Sequence, residues 1–185
     1  MNQKYVWYVA YGSNLCKERF MTYINGGLFQ GIRNLHKGCN DKSPPVREKP
    51  FLIPHEVYFG NKASTWDGMG VAFIDADRFG VALGRAYLIT EEQFYEIQKQ
   101  EGLSNEWYGR IVELKCENDN IPHMTFTSND RHKDNMPSEK YLDIIYKGLC
   151  ETYPQFSCLQ QNQETTIYGL SLIHSPPQPC TPPFP

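Results

Sequence analysis

Tyr5-Val6-Trp7-Tyr8-Val9-Ala10-Tyr11-Gly12-Ser13-Asn14-Leu15 is the stretch on which the fold turns. Its first six residues are apolar or aromatic at both alternating positions, the pattern of a strand buried on both faces. Gly12-Ser13-Asn14 breaks that period. Leu15, Phe20, Met21 and Ile24 then follow at roughly helical spacing, until Gly26-Gly27 supplies a stop. A central strand therefore turns sharply into a helix.

Beyond Gly27 the period is lost as far as Pro54, with Pro44, Pro45 and Pro50 set among charged residues. That composition predicts an irregular excursion over 27–54. Short strands are expected at Glu56 to Gly60, Gly70 to Ile74, Leu83 to Ile89, Tyr108 to Leu114 and His123 to Thr127, with a last one at Tyr168 to Ile173. Two helices interrupt them. Thr90-Glu91-Glu92-Gln93 is a capping box that opens the first. Ser138 caps the second, which should run to about Thr152 with Leu142, Ile145 and Leu149 on one face and stop before Pro154. The fold class is α+β: a mixed, largely antiparallel sheet or partial β-barrel flanked by helices. A single domain over 1–173 is expected, followed by a proline-rich tail over 174–185 that cannot pack regularly.

Composition narrows the function. The 185 residues are 40% hydrophobic and 14% aromatic, enough for one compact domain that needs neither metal nor disulfide to hold it together. A net charge of −3 offers no footprint for nucleic acid or an anionic membrane surface. The aromatic content therefore reads as core packing, not as a platform for stacked bases. Six cysteines are scattered without a C-x-x-C pair, and five histidines avoid the spacings that chelate metal on a helix. No apolar run approaches the ~20 residues that span a bilayer. The expectation is a cytoplasmic protein with reduced thiols, no metal, no cofactor and a small-molecule ligand.

Two places could carry chemistry. At Tyr11-Gly12-Ser13-Asn14-Leu15, a glycine between buried strand and helix, taken to need positive φ, lets backbone N–H groups converge on an anion such as a carboxylate or an oxyanion. Equally, Gly12 could merely permit the turn while Ser13 or Asn14 caps the helix. Glu101 lies four residues after Ile97 and seven after Phe94, so the helical period sets a carboxylate on the apolar face. Burial would raise its pKa toward the range of a general acid and base. The alternative is that Gly102 ends the helix and Glu101 turns into water.

These elements resemble the γ-glutamyl cyclotransferase family. Tyr8-Val9-Ala10-Tyr11-Gly12-Ser13-Asn14-Leu15 is similar to its YFAYGSNL-like signature, and Glu18-Arg19 follows at a spacing the family often shows. Thr65-Trp66-Asp67-Gly68 resembles its TWHG-like turn, and Gln100-Glu101-Gly102 with Tyr108 resembles its QEG segment and the tyrosine after it. Pro137-Ser138, Tyr141 and Gly148 resemble a late helix. The resemblance implies that the enzyme closes a γ-glutamyl amide into 5-oxoproline and releases an amine. It implies Glu101 as the acid/base, Tyr11 to Leu15 as the pocket for the γ-glutamyl end, and Tyr108 and Tyr141 as its lining.

The 27–54 segment and the tail depart from that pattern. Arg33, Arg47 and His55, in or beside the segment, could meet the leaving group or simply face water. Two rival readings remain. A hydrolase could use Cys16 or Ser13 with a histidine, although no G-x-S-x-G elbow is present. The same pocket could instead bind a small anionic metabolite without turning it over. Neither oligomeric state nor the leaving amine follows from spacing.

Overall fold

A computed structural model describes residues 3–32, 34–117 and 119–156. The expected strand is β1, Tyr5–Ala10, buried from Val6 onward. Its neighbours follow from that double burial. β1 pairs antiparallel with β5 (Met69–Thr90) on one side, and parallel with β7 (His123–Thr127) on the other. With β4 (Arg47–Ala63) and β6 (Arg110–Leu114) outside them, the order is β4-β5-β1-β7-β6. The sheet is mixed and open, not a closed barrel.

The alternation of β1 sorts the core. Val6, Tyr8 and Ala10 join Phe20, Tyr23 and Ile24 of α1 (Lys17–Asn25) and Phe94 and Ile97 of α2 (Glu91–Glu101). Trp7 and Val9 join the cluster that holds Ile144, Ile145 and Leu149 of α3 (Glu139–Thr152). Phe20 and Phe94 are fully buried, and each contributes about 1.5–3 kcal/mol, which is what docks these two short helices. Gly26, at φ 82°, ends α1 where the sequence puts a stop. The capping box at Thr90 and Gln93 is formed in full. Ser138 caps α3, accepting from the Tyr141 N–H. On α3, however, Leu142 is only partly buried, and the buried face is Tyr141, Ile144, Ile145, Gly148 and Leu149.

Two expectations change. The irregular reading of 27–54 fails at both ends: β2 (Gly27–Leu28) and β3 (Leu35–His36) form a small hairpin, and β4 begins at Arg47. Prolines are tolerated there because β4 is an edge strand, and the pairing slips beside Pro54, between Ile53 and His55. The two strands expected at Gly70 to Ile74 and Leu83 to Ile89 are parts of the single β5. Its middle, Asp75 to Val81, lies outside the core, with Phe79 86% exposed, so it lacks the apolar alternation that marks a strand. The expected strand Tyr168 to Ile173 and the proline-rich tail lie outside the described residues. Among the described residues no helix is long and apolar enough to cross a membrane.

Candidate active site

The chain leaves β1 into a single 3₁₀ turn, Ser13–Leu15, closed by the Leu15 N–H donating to the Gly12 carbonyl at 3.0 Å. Cys16, not Ser13 or Asn14, is the residue that precedes α1, and it makes no side-chain cap. Asn14 is thereby free to point elsewhere. Its Nδ2 donates to Glu101 Oε1 at 2.9 Å and to Tyr8 Oη at 3.2 Å. Glu101 is the last residue of α2, and Gly102, at φ 111°, ends the helix as expected. The side chain nevertheless stays inward and faces a cavity of about 260 Å³. The chain then folds back, with the Tyr108 N–H on the Gly102 carbonyl, and returns the Tyr108 ring to the cavity wall.

Tyrosine hydroxyls fasten the walls. Tyr11 Oη donates to the Phe126 carbonyl at 2.7 Å, and Tyr108 Oη to the Ala72 carbonyl at 3.0 Å. Tyr141 Oη accepts from the Ala72 N–H at 3.1 Å and lies against the Ser13 backbone. Burial holds all these phenols neutral, Tyr141 being pushed up to about 12. Burial likewise raises the Glu101 carboxyl above its ordinary range, against the Arg19 charge and hydrogen bonds from Tyr23 and Asn14, which pull it down. The result is a carboxylate whose protonated form burial favours, in a chamber walled largely by tyrosines.

Gly12 is needed here for a reason other than backbone freedom. Its φ is −110°, which any residue adopts, so positive φ is not what requires glycine. A Cβ at this position would lie 2.8 Å from Tyr141 Oη and 3.4 Å from Ala72 Cβ. Gly12→Val should therefore cost about 1–3 kcal/mol of stability by overpacking and push Tyr141 from the wall. Thermal melts and calorimetric binding of a γ-glutamyl compound would show both losses together; wild-type binding would leave the turn without a role.

Arg19, 2% exposed, also borders the cavity, with Nη1 2.8 Å from His36 Nε2. Burial first, and the Arg19 charge second, lower the His36 pKa to about 4. A histidine so depressed stabilises the fold fully above its unfolded value near 6.5, and that contribution is lost as pH falls through about 4. Urea midpoints should decline over this window, and decline less in His36→Gln. Equal slopes would mean that His36 does not titrate differently in the two states.

No protein-family model matches the chain. By sequence it is similar to histone deacetylase 5 of Arabidopsis thaliana, 32% identical over 189 residues, which cover 79% of this chain and 28% of that protein. The chain thus spans little more than a quarter of that relative's length. By structure it is similar to a γ-glutamyl cyclotransferase, with a TM-score of 0.59 and 21% identity over 85% of this chain and 87% of the other. The chain has the γ-glutamyl cyclotransferase-like fold. An uncharacterized human protein shares this cyclotransferase-like fold at TM-score 0.60 and 21% identity, over 98% of this chain and 94% of the other. YkqA of Bacillus subtilis shares it at 0.57 and 20%, over 95% of this chain and 56% of the other.

Within this cyclotransferase-like fold, Tyr11, Gly12, Ser13, Asn14, Glu101, Tyr108 and Tyr141 come together around the cavity. Leu15 does not. It is 1% exposed in the core behind the turn, because the 3₁₀ geometry rotates it away from the cavity. Arg47 instead lies over the Trp7 ring at 5.3 Å, and neither Arg47 nor His55 lines the cavity. Arg33 lies outside the described residues. Cys16 is buried, with its thiol pushed up by that burial, and no histidine is among the described residues lining the cavity. Ser13 therefore meets no histidine in the cavity, and the buried Cys16 thiol lies away from it, 3.8 Å from Glu151 Oε1, so the hydrolase reading finds no nucleophile–histidine pair at this site among the described residues. Spacing missed Arg19, Tyr23, Gln100 and Trp66 as lining residues. Arg19 at least carried a signal, as an arginine one position before Phe20 on the apolar side of its helix.

Proposed function

We propose that the protein is a γ-glutamyl cyclotransferase with Glu101 as its acid/base. The observation that supports this most is the Glu101 carboxylate, set in an aromatic cavity against Asn14 Nδ2 at 2.9 Å and raised by burial. Glu101 takes a proton from the substrate's α-ammonium, and the freed amine attacks the γ-carbonyl carbon. A new C–N bond closes the five-membered ring. The original γ-amide C–N bond then breaks as Glu101 returns its proton to the departing nitrogen, and the ring nitrogen, left with one proton too many by the attack, releases it to solvent, giving 5-oxoproline and an amine that takes up a proton from solvent to leave as its ammonium. The protein has mainly to orient the reacting ends and steady the oxyanion.

The cavity has spare groups for this. Asn14 Oδ1 is a buried acceptor with no partner, suited to an N–H of the substrate. Tyr141 Oη already accepts the Ala72 N–H, so its own proton is left to donate to an oxyanion.

The test is 5-oxoproline release, read by mass spectrometry, from a panel of γ-glutamyl amino acids, γ-glutamyl amines and glutathione. Release from any member supports the reading and names the leaving group. A ligand bound but never turned over would replace it with a sequestering role.

A further inference from the structure

Behind Glu101 runs a chain of buried polar groups that the proposed chemistry does not touch. From α1, Arg19 Nη2 donates to Tyr23 Oη at 3.1 Å, and Tyr23 borders the same cavity as Glu101, whose carboxyl it helps to hold ionised. On its far side Arg19 Nη1 meets His36 Nε2 at 2.8 Å. Arginine can only donate, so His36 Nε2 is the acceptor and the neutral ring carries its proton on Nδ1. The ring packs on the Tyr23 ring at 3.9 Å, beside the Gln100 side chain. Gln100 is itself fixed, accepting from the Gly38 N–H at 3.1 Å and donating to the Tyr23 carbonyl at 3.0 Å.

We infer that Arg19 and Tyr23 are positioning residues for Glu101, and that His36, supplied by the β2–β3 hairpin, is the brace that holds Arg19 in place. The inference rests on reading Glu101 as the acid/base. The sequence makes 27–54 look like a surface excursion, yet this arrangement gives it a part in the site. Tyr23 receives a hydrogen bond from Arg19, which polarises the hydroxyl that shares the cavity with the carboxylate. Tyr8 of β1, Tyr11 just beyond it, Tyr108, and Tyr141 of α3 also face Glu101, all as neutral phenols. Arg19 therefore supplies the positive charge that keeps the carboxylate ionised against its burial.

Carboxyl ¹³C NMR of glutamate-labelled protein tests this, with the Glu101 resonance assigned by its loss in Glu101→Gln. Tyr23→Phe and Arg19→Gln should each move the Glu101 titration to higher pH, and His36→Phe should move it the same way. On the acidic limb, kcat/KM should fall about tenfold or more in Arg19→Gln, since a neighbouring unit charge is worth at least that much. Tyr23→Phe keeps the ring against His36, so it decides the matter even where Arg19→Gln does not fold. Titrations that coincide with wild type in folded Tyr23→Phe would overturn the relay. The NMR readout needs no turnover, so a protein that releases no 5-oxoproline would sink the proposed activity while this result still stands or falls alone.

Discussion

Glu101→Gln is expected to lower 5-oxoproline release by about 10²–10⁴-fold, the range lost with a general acid/base, while leaving ligand affinity and fold nearly intact. The amide is isosteric, and its oxygen can still accept from Asn14 Nδ2, which now donates to Glu101 Oε1 at 2.9 Å. The substitution removes a charge that burial penalises, so the melting temperature should hold or rise slightly. What the variant lacks is a group that can take the ammonium proton and give it back. The pH profile supplies an independent check. Glu101 must be ionised to act as base, so kcat/KM of the wild type should drop as pH falls through its raised pKa, with a midpoint above that of an ordinary carboxylate. A variant that keeps wild-type rates would take Glu101 out of the mechanism.

Gly148→Ala should produce the other large effect, and in the opposite quantity: stability rather than rate. In isolation the change favours a helix by about 1 kcal/mol. In this fold α3 crosses directly over the 3₁₀ turn, and an added Cβ would run into the backbone of Leu15 and Cys16. Backbone cannot swing aside as a flexible side chain can. Overpacking of this kind costs about 1–3 kcal/mol and occasionally more, so a net loss near 2 kcal/mol is expected, or roughly 4–8 °C in Tm for a domain of this size. Because α3 carries Tyr141, its retreat should also loosen the Ser13 and Ala72 contacts and raise KM. A melting temperature equal to wild type or higher would mean that helix propensity outweighs packing, and that α3 does not press on the turn.

The two variants separate two kinds of information. The double-faced β1, the stop at Gly26, the capping box at Thr90 and the Ser138 cap were legible because each depends on residues a few positions apart, through the periods of strand and helix and the valence of orphan N–H groups. That Glu101 falls on the apolar face of α2 was likewise legible, as a matter of helical phase. Tyr11, Gly12, Ser13, Asn14, Glu101, Tyr108 and Tyr141, the positions the cyclotransferase resemblance singles out, line one cavity, and Leu15 alone of that set does not. The sequence could not say whether Glu101 would turn inward past Gly102, since that depends on Asn14, far away along the chain.

Other features had no local trace at all. The middle of β5 is held to β4 by backbone pairing and not by burial, so no apolar alternation announces it. Pro50 and Pro54 are acceptable because, among the described residues, no strand pairs with that part of β4 on its outer side, and an edge is a property of the whole sheet. Gly12 looked like a turn glycine, but its Cα faces a hydroxyl delivered by α3. His36 looked like part of a surface loop, but it accepts a hydrogen bond from Arg19 two elements earlier. By itself, then, the sequence determined β1, the three helices, the caps of α2 and α3 and the carboxylate on the apolar face of α2. Tertiary structure decided which side chains meet that carboxylate and where glycine is obligatory, because those are contacts between distant segments, and one sequence carries no record of which of its residues touch.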